Sequence, residues 1–312
     1  MTTTVFIDGE AGTTGLQIQE RLAPRADVAL IHLGDDARKD AAARREALND
    51  ADVAILCLPD DAAREAVSLV DSDTVVIDAS TAHRAVDGWV YGFPEYGKGH
   101  RDAMRASLRI SNPGCYALTA VAMIHPLVAG GLVPAYYPVT INAVSGYSGG
   151  GKSLIAAFED PAAENHTDST LYAYALGLQH KHIPEIIRWG GLANAPIFVP
   201  TVAKYYKGML VQIPLALWHL PGAPTATDLH AALAAHYAGE QFVTVAPLEE
   251  GVTTLDPEAL NGTNELHLHL LHNDTTAQVV VAGVIDNLGK GASGQAVQTL
   301  NLMIGADEGE GL

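Results

Sequence analysis

Two cysteines and thirteen histidines carry most of the reactive capacity of this chain. The stretch Ile110-Ser111-Asn112-Pro113-Gly114-Cys115-Tyr116 is the most informative. Pro113-Gly114 breaks an extended run, and Ala117 to Val128 has a helical texture, so Cys115 falls at or beside a helix N-terminus. The partial positive charge there stabilises a thiolate and lowers the thiol pKa, and the adjacent backbone N–H groups are placed to hold an oxyanion. Cys115 is therefore the candidate nucleophile. Most free cysteines are instead buried and inert. Cys57, mid-strand among Val53, Ile55, Leu56 and Leu58, reads as one of those.

A thiolate nucleophile needs a proton carrier. The densest polar cluster is His180-Lys181-His182-Ile183-Pro184-Glu185. Residues two apart do not share a helix face, so at most one of the two histidines is expected to point at Cys115. Glu185 would orient the imidazole and Lys181 would bind phosphate, unless the segment is simply a solvated loop. Ser145-Gly146-Tyr147-Ser148-Gly149-Gly150-Gly151-Lys152 combines glycines, hydroxyls and a cation, which suits an anion-binding loop or a hinge. It lacks the glycine spacing of a Walker loop, so ATP is not expected. His267 and His269 alternate on one strand face with His272 opposite, and no third ligand follows at a metal-site spacing, so no metal is expected.

A glycine turn, Gly9-Glu10-Ala11-Gly12-Thr13-Thr14-Gly15, sits between the first strand and the first helix. There, glycines let backbone N–H groups approach a pyrophosphate at a helix N-terminus. The spacing is the looser G-x-x-G-x-x-G. At the end of the second strand, Asp35 or Asp36 would favour NAD, whereas Arg38 and Lys39 would pair with the 2′-phosphate of NADP. That stretch by itself decides for neither.

These groups need elements to position them. Short apolar strands are expected at Thr4–Asp8, Val28–Leu33, Val53–Leu58 and Thr74–Asp78, with helices between them, including Asp40–Asn49 and Asp61–Val70. Strands that are apolar throughout and alternate with helices argue for a parallel sheet covered on both faces. Beyond about residue 137 the strands alternate with polar residues: Val139–Val144, Pro196–Pro200, Met209–Leu217, Glu265–His272 and Gln278–Val284, the last two joined by a turn at Asn273-Asp274. This pattern predicts an antiparallel sheet with one solvated face. Asp228–Tyr237 and Ala292–Ile304 are expected helices, and the acidic, Gly-rich 307–312 a frayed tail.

The chain has 312 residues, long enough for two domains, and is 48% apolar. Eighteen basic against 36 acidic residues give a formal charge of -18, which repels nucleic acid and anionic lipid and excludes both as expected partners. Phosphorylated ligands would then need a locally positive pocket. Two thiols make no disulfide framework, Met1 to Asp8 does not read as a signal peptide, and no apolar run spans a bilayer, so a cytoplasmic protein is expected.

Together these segments resemble the N-acetyl-gamma-glutamyl-phosphate reductase family, in its shorter second type. The resemblance spans nearly the whole chain. It includes the glycine turn, Asp78-Ala79-Ser80-Thr81-Ala82-His83-Arg84, Gly92-Phe93-Pro94-Glu95, the Cys115 stretch, the Ser145–Lys152 loop and the His180–Glu185 cluster. It ends in Asn287-Leu288-Gly289-Lys290-Gly291-Ala292-Ser293-Gly294-Gln295-Ala296. The Cys segment alone also suits aspartate-semialdehyde dehydrogenases, whereas the Cys115 stretch, His182-Ile183-Pro184-Glu185 and Lys290-Gly291-Ala292-Ser293-Gly294-Gln295-Ala296 in this order are far more specific. The resemblance implies an α/β Rossmann domain over 1–114, completed by a C-terminal helix within 290–312. It implies an α+β glyceraldehyde-3-phosphate-dehydrogenase-like catalytic and oligomerisation domain over 115–289, with a mainly antiparallel sheet. It implies NADP as cofactor, a small-molecule acyl phosphate as substrate and a homo-oligomer, dimer or tetramer. Cys115 would be the nucleophile, and His182 rather than His180 the acid–base. Ser145, Ser148, Lys152, Lys181, Glu185 and Arg84 would meet substrate; Gly9, Gly12, Thr13, Thr14, Gly15, Arg38, Ser80 and Asn287 would meet the cofactor. The alternatives are an aspartate-semialdehyde or aminoadipyl-type reductase of the same superfamily and a non-catalytic dinucleotide sensor.

Overall fold

A computed structural model describes residues 2–34, 36–248 and 252–312, so Asp35 lies outside the described residues. The chain divides into two compact units, Met1–Gly114 with Ala292–Leu312, and Cys115–Gly291.

The first unit runs β1 (Thr3–Asp8), α1 (Thr13–Leu22), β2 (Val28–Ile31), α2 (Ala41–Asp50), β3 (Val53–Leu56), α3 (Asp60–Ser68), β4 (Val75–Asp78), β5 (Val90–Tyr91), α4 (His100–Arg105) and β6 (Arg109–Ser111). Its sheet has the order β2-β1-β3-β4-β6-β5 and every pair is parallel. Successive strand residues face opposite sides, so each central strand feeds two cores. Val5, Ile7, Val53 and Ile55 pack with Ile18 and Leu22 of α1. Phe6, Ala54 and Leu56 pack on the other side with Leu48 of α2 and Ala63 and Ala66 of α3. This two-sided burial is why these strands read as unbroken apolar runs.

One buried ion pair ties α2 to the sheet beside the glycine turn. Arg44 donates to Asp8 Oδ2 from Nε and Nη2, at 3.1 and 2.9 Å, and from Nη1 to Glu65 at 3.3 Å. Burial raises the Asp8 carboxyl pKa by more than Arg44 lowers it. Arg44→Ala leaves that carboxylate buried and uncompensated, and urea denaturation is expected to show a loss of about 3–5 kcal/mol at neutral pH. A carboxyl whose folded pKa is raised favours the fold at low pH and loses that contribution as pH rises through the folded value. Deleting Arg44 raises it further, so the deficit against wild type is expected to shrink as the pH is lowered.

The second unit runs α5 (Cys115–Ala129), β7 (Thr140–Gly146), α6 (Gly151–Glu159), β8 (Leu171–Ala173), α7 (Ile183–Gly190), β9 (Ile197–Ala203), β10 (Met209–Ala216), α8 (Ala226–His236), β11 (Val243–Val245), β12 (Leu266–Asn273) and β13 (Gln278–Ile285). Its sheet order is β11-β12-β13-β10-β7-β9-β8. Most pairs are antiparallel, but β7–β9 and β11–β12 are parallel, which strand alternation could not foretell. Leu266, Leu268 and Leu270 of β12 are buried while His267 and His269 between them are half-exposed, the expected two-faced strand. The turn after β12 is longer than a two-residue hairpin: Asn273 Oδ1 accepts from the N–H groups of Thr275 and Thr276 at 3.1 and 3.3 Å. α5 is apolar all round and nearly all buried from Tyr116 to Leu127, as a central helix must be.

A π-helical turn, Gly289–Ser293, leads into α9 (Gly294–Ile304), whose Ala296, Val297, Leu300 and Leu302 complete the α1 side of the first unit's core. The segment after it is not frayed, against expectation. Asn301 Nδ2 donates to the carbonyls of Glu308 and Glu310 at 3.1 and 2.8 Å, and Arg101 Nε donates to Glu308 Oε1 at 2.6 Å. Leu312 packs on the core. Composition suggested a loose end because Arg101, one of the donors that hold it, lies far away in the sequence.

Candidate active site

Pro113-Gly114 ends the extended run, and the second unit opens with α5 on Cys115, which keeps part of its surface exposed. The thiol therefore sits where first-turn N–H groups are not used by the helix. Cys57 lies one residue past β3, and burial, with help from the Asp78 and Asp8 carboxylates, pushes its thiol up to about 12. Of the two, only Cys115 is placed as a nucleophile.

Tyr116, next to Cys115, organises what surrounds it. Its hydroxyl donates to the Thr201 carbonyl at 3.2 Å and also shares hydrogen bonds with Ser145 and Tyr174. Its ring meets Phe198, His180 and His182 edge-on, with centroids 5.3, 5.9 and 6.0 Å apart. Burial chiefly, and then the neighbouring Tyr174 and Cys115, hold the Tyr116 phenol well above its ordinary range. Burial likewise pushes Tyr174 up to about 12. Both hydroxyls thus stay protonated and serve as hydrogen-bond donors beside the cysteine.

Both histidines enter this cluster, with ring centroids 4.7 Å apart. They do so because residues 180–182 precede α7 and do not belong to it, so helix-face periodicity does not separate them. The two are unequal. The His182 N–H donates to His180 Nδ1 at 3.1 Å, so that ring nitrogen of His180 is an acceptor. His180 also stacks edge-on to Tyr174 at 5.8 Å. His182 is buried at the N-cap of α7, and Glu185 is buried in the first turn of the same helix, where a carboxylate is favoured by the helix dipole. Lys181 and Lys152 are exposed.

The Ser145–Lys152 segment is a short 3-10 turn running into α6, a helix that glycine content had masked. Ser145 and Ser148 are buried. Asn287 binds this turn, donating from Nδ2 to Ser148 Oγ at 3.1 Å and accepting from Gly208 N at 2.7 Å. Gly291 lies against Cys115: a Cβ there would stand 2.8 Å from the Cys115 Cβ. Tyr116, Tyr174 and Gly291 were not singled out by sequence reasoning. For Gly291 the Lys-Gly-Ala segment was a usable signal, whereas nothing in the spacing marks Tyr174.

In the first unit, Gly9 has φ +90°, and a Cβ on it would sit 2.4 Å from the Cys57 carbonyl oxygen. A Cβ on Gly15 would sit 2.5 Å from the Gly9 carbonyl oxygen, so both glycines are required by close chain crossing. Gly12 precedes α1 and no side chain caps that helix, whose first residues are Thr13 and Thr14. Glu10 pairs with His32 at 3.0 Å, and Arg38 is exposed on the 3-10 turn Ala37–Lys39. Ser80 Oγ donates to Asp78 Oδ2 at 2.7 Å, and His83 Nδ1 lies 2.6 Å from the same oxygen. Arg84 donates to the carbonyls of Asn112 and Ala79 at 2.9 and 2.8 Å, so its guanidinium clamps the ends of β4 and β6. Asn112 Oδ1 and both polar ends of the Gln295 amide are buried without hydrogen-bond partners. Leaving such groups unmatched costs about 1–3 kcal/mol each, so this unit has polar atoms to offer a ligand. Uncapped helix, glycine turn and orphaned amides together fit a dinucleotide.

His267 pairs with Glu265 and His272 with Asp274, at 2.9 and 3.0 Å, and among the described residues no group of three metal-binding side chains occurs.

Residues 4–104 match the family model described as semialdehyde dehydrogenase, NAD binding domain, and 115–287 match semialdehyde dehydrogenase, dimerisation domain. A Nostoc sp. protein named N-acetyl-gamma-glutamyl-phosphate reductase 2 is 51% identical over 99% of this chain and 98% of its own. A Burkholderia orbicola N-acetyl-gamma-glutamyl-phosphate reductase is 53% identical over 97% of each chain. A solved structure of a probable aspartate-semialdehyde dehydrogenase from Pseudomonas aeruginosa superposes with TM-score 0.72 at 18% identity, covering 97% of this chain and 99% of that one, which speaks for the fold.

Proposed function

The chain belongs to the N-acetyl-gamma-glutamyl-phosphate reductases within the semialdehyde dehydrogenase family, and we propose that it reduces N-acetyl-gamma-glutamyl phosphate to N-acetylglutamate 5-semialdehyde and phosphate with NADPH. The step belongs to arginine biosynthesis. The observation that carries the reading is identity above one half to reductases of that name across almost the entire chain. Cys115 at the start of α5, in one cluster with His182, supports it independently.

Cys115 shares its proton with His182, and the resulting thiolate adds to the acyl phosphate carbonyl. The carbon–sulfur bond forms, and the bond to the phosphate oxygen breaks as His182 returns the proton to the departing phosphate. First-turn N–H groups of α5 hold the carbonyl oxygen while it is negative. When bound, the nicotinamide cofactor would supply hydride, which the thioester carbon held on Cys115 would accept. The resulting alkoxide re-forms a carbonyl by expelling the Cys115 thiolate, and the aldehyde leaves. One proton is taken from solvent per turnover, and His182 is its port of entry. Gly9, Gly12, Thr13, Thr14 and Gly15 would hold the pyrophosphate, and the exposed Arg38 the 2′-phosphate that makes NADP the preferred cofactor. Ser145, Ser148 and Glu185 would line the substrate side, with the exposed Lys152 and Lys181 as the cations for phosphate or carboxylate. No helix among the described residues is long and apolar enough to cross a membrane. The match of 115–287 to a dimerisation domain supports a homo-oligomer, and the biosynthetic step proposed is one of the cytoplasm.

Phosphate-dependent oxidation of semialdehydes tests this reading. With NADP, kcat/KM for N-acetylglutamate semialdehyde is expected to exceed that for aspartate semialdehyde by about 10³-fold or more, since a site built around one polar group rejects substrates lacking it. A preference for aspartate semialdehyde would reassign the substrate, and equal use of NAD would remove the role given to Arg38.

A further inference from the structure

We propose that the side-chain amide of Gln295, together with Oδ1 of Asn112, forms the subsite that reads the carboxamide of the nicotinamide ring. The proposal rests on the first unit binding a nicotinamide dinucleotide, and it adds which part of that molecule these two residues recognise.

Both residues belong to the first unit, and both are closed off from water: Asn112 is 1% exposed and Gln295 0%. Asn112 Oδ1, Gln295 Oε1 and Gln295 Nε2 have no hydrogen-bond partner among the described residues. The other buried polar side chains of α9 are matched. Gln298 Nε2 donates to Glu95 Oε1 at 2.8 Å, Thr299 Oγ1 to the Gly92 carbonyl at 3.4 Å, and Asn301 Nδ2 to the Glu308 and Glu310 carbonyls. An amide buried with both ends unmatched destabilises the fold, and a bound polar partner removes that cost.

Two hydrogen bonds place these groups beside the glycine turn. Ser293 Oγ, two residues before Gln295, donates to Gln17 Oε1 of α1 at 2.9 Å, so the start of α9 is stitched to the helix that follows the turn. Asn112 Nδ2 donates to the Ala292 carbonyl at 3.1 Å, and Asn112 N donates to the Asp78 carbonyl at 2.8 Å. Asn112 and the start of α9 therefore lie together between α1 and the ends of β4 and β6.

The sheet decides which half of a dinucleotide reaches them. All its pairs are parallel, so the carboxyl ends of its strands share one edge, where such ligands lie. The pyrophosphate is assigned to the turn after β1, and Arg38, which follows β2, takes the adenosine side. In the order β2-β1-β3-β4-β6-β5, the nicotinamide half then extends the other way, toward β4 and β6. A carboxamide carries an NH2 donor and a carbonyl acceptor on one carbon. Asn112 Oδ1 and Gln295 Oε1 can accept from the NH2, and Gln295 Nε2 can donate to the carbonyl. A phosphate, which only accepts, would leave both oxygens unmatched.

The test uses the full chain, Gln295→Met, and two cofactors: NADP and its 3-acetylpyridine analogue, in which a methyl replaces the carboxamide nitrogen. Titration calorimetry reads affinity. Wild type is expected to bind NADP about tenfold more tightly than the analogue, the worth of one buried hydrogen bond. Gln295→Met is expected to bind NADP about tenfold more weakly and to hold the two cofactors within about twofold of each other. Methionine keeps the side-chain length and removes the unmatched groups, so the thermal midpoint of the variant without cofactor is expected at or above that of wild type. A role confined to structure would instead lower that midpoint and weaken both cofactors equally, which overturns the subsite. A variant that keeps the wild-type preference overturns it as well. If circular dichroism shows that Gln295→Met fails to fold, Gln295→Asn, which withdraws the amide by one methylene, takes its place with the same expected loss of preference. A wild type that binds both cofactors equally overturns the subsite and leaves the dinucleotide reading standing. A wild type that binds neither overturns the NADP reading and the subsite with it.

Discussion

Cys115→Ser is expected to lower kcat for phosphate-dependent NADP reduction by about 10⁴-fold or more, with little change in NADPH affinity. The substitution replaces one atom. It keeps the volume and the seat at the start of α5, but a hydroxyl there stays protonated where a thiol ionises, so no acyl–enzyme bond forms at a useful rate. The turn from Gly9 to Gly15 belongs to the other compact unit, so fluorescence titration with NADPH is expected to match wild type. Wild-type turnover by the serine variant would end the thioester mechanism. Cys57 cannot substitute for Cys115, because burial and two carboxylates hold its thiol at about 12.

His182→Gln is expected to cost about 10² to 10⁴ in kcat, the range of a lost acid–base group. Glutamine preserves size and hydrogen bonding but cannot exchange a proton, so the loss should fall on kcat more than on KM. His180→Asn is the informative companion. His180 acts through the His182 backbone N–H and through ring packing, and its removal should cost less. Pre-steady-state measurement of phosphate release separates the two roles: the His182 variant should slow the burst itself. If His180→Asn proved the more damaging variant, with a slowed burst, the two assignments would exchange.

Several structural features have a direct basis in residue order. Val5, Phe6 and Ile7 are all apolar because β1 is covered on both sides, and the alternation of Leu and His in β12 reflects a sheet with one wetter face. Pro113-Gly114 ahead of an apolar helix marks where α5 starts, which is a local matter of backbone sterics. Where the reading failed, distant partners were responsible. The tail 307–312 is acidic and Gly-rich, yet Arg101, 207 residues from Glu308, holds it. Arg84, expected at substrate, also donates to two backbone carbonyls, contacts its sequence neighbours do not announce.

By itself the order of residues determined the parallel sheet of the first unit and the helix that starts on Cys115, because side-chain period and turn chemistry act over a few residues. Only the tertiary structure decided which groups gather around that cysteine. Tyr116 and Tyr174 share a hydrogen bond across a wide gap in sequence, and Gly291 comes within a methyl's width of Cys115 from the far end of the chain. The physical reason is that such meetings depend on how strands pair and helices pack, and a sheet that mixes parallel with antiparallel neighbours leaves no periodic trace of which strand lies beside which.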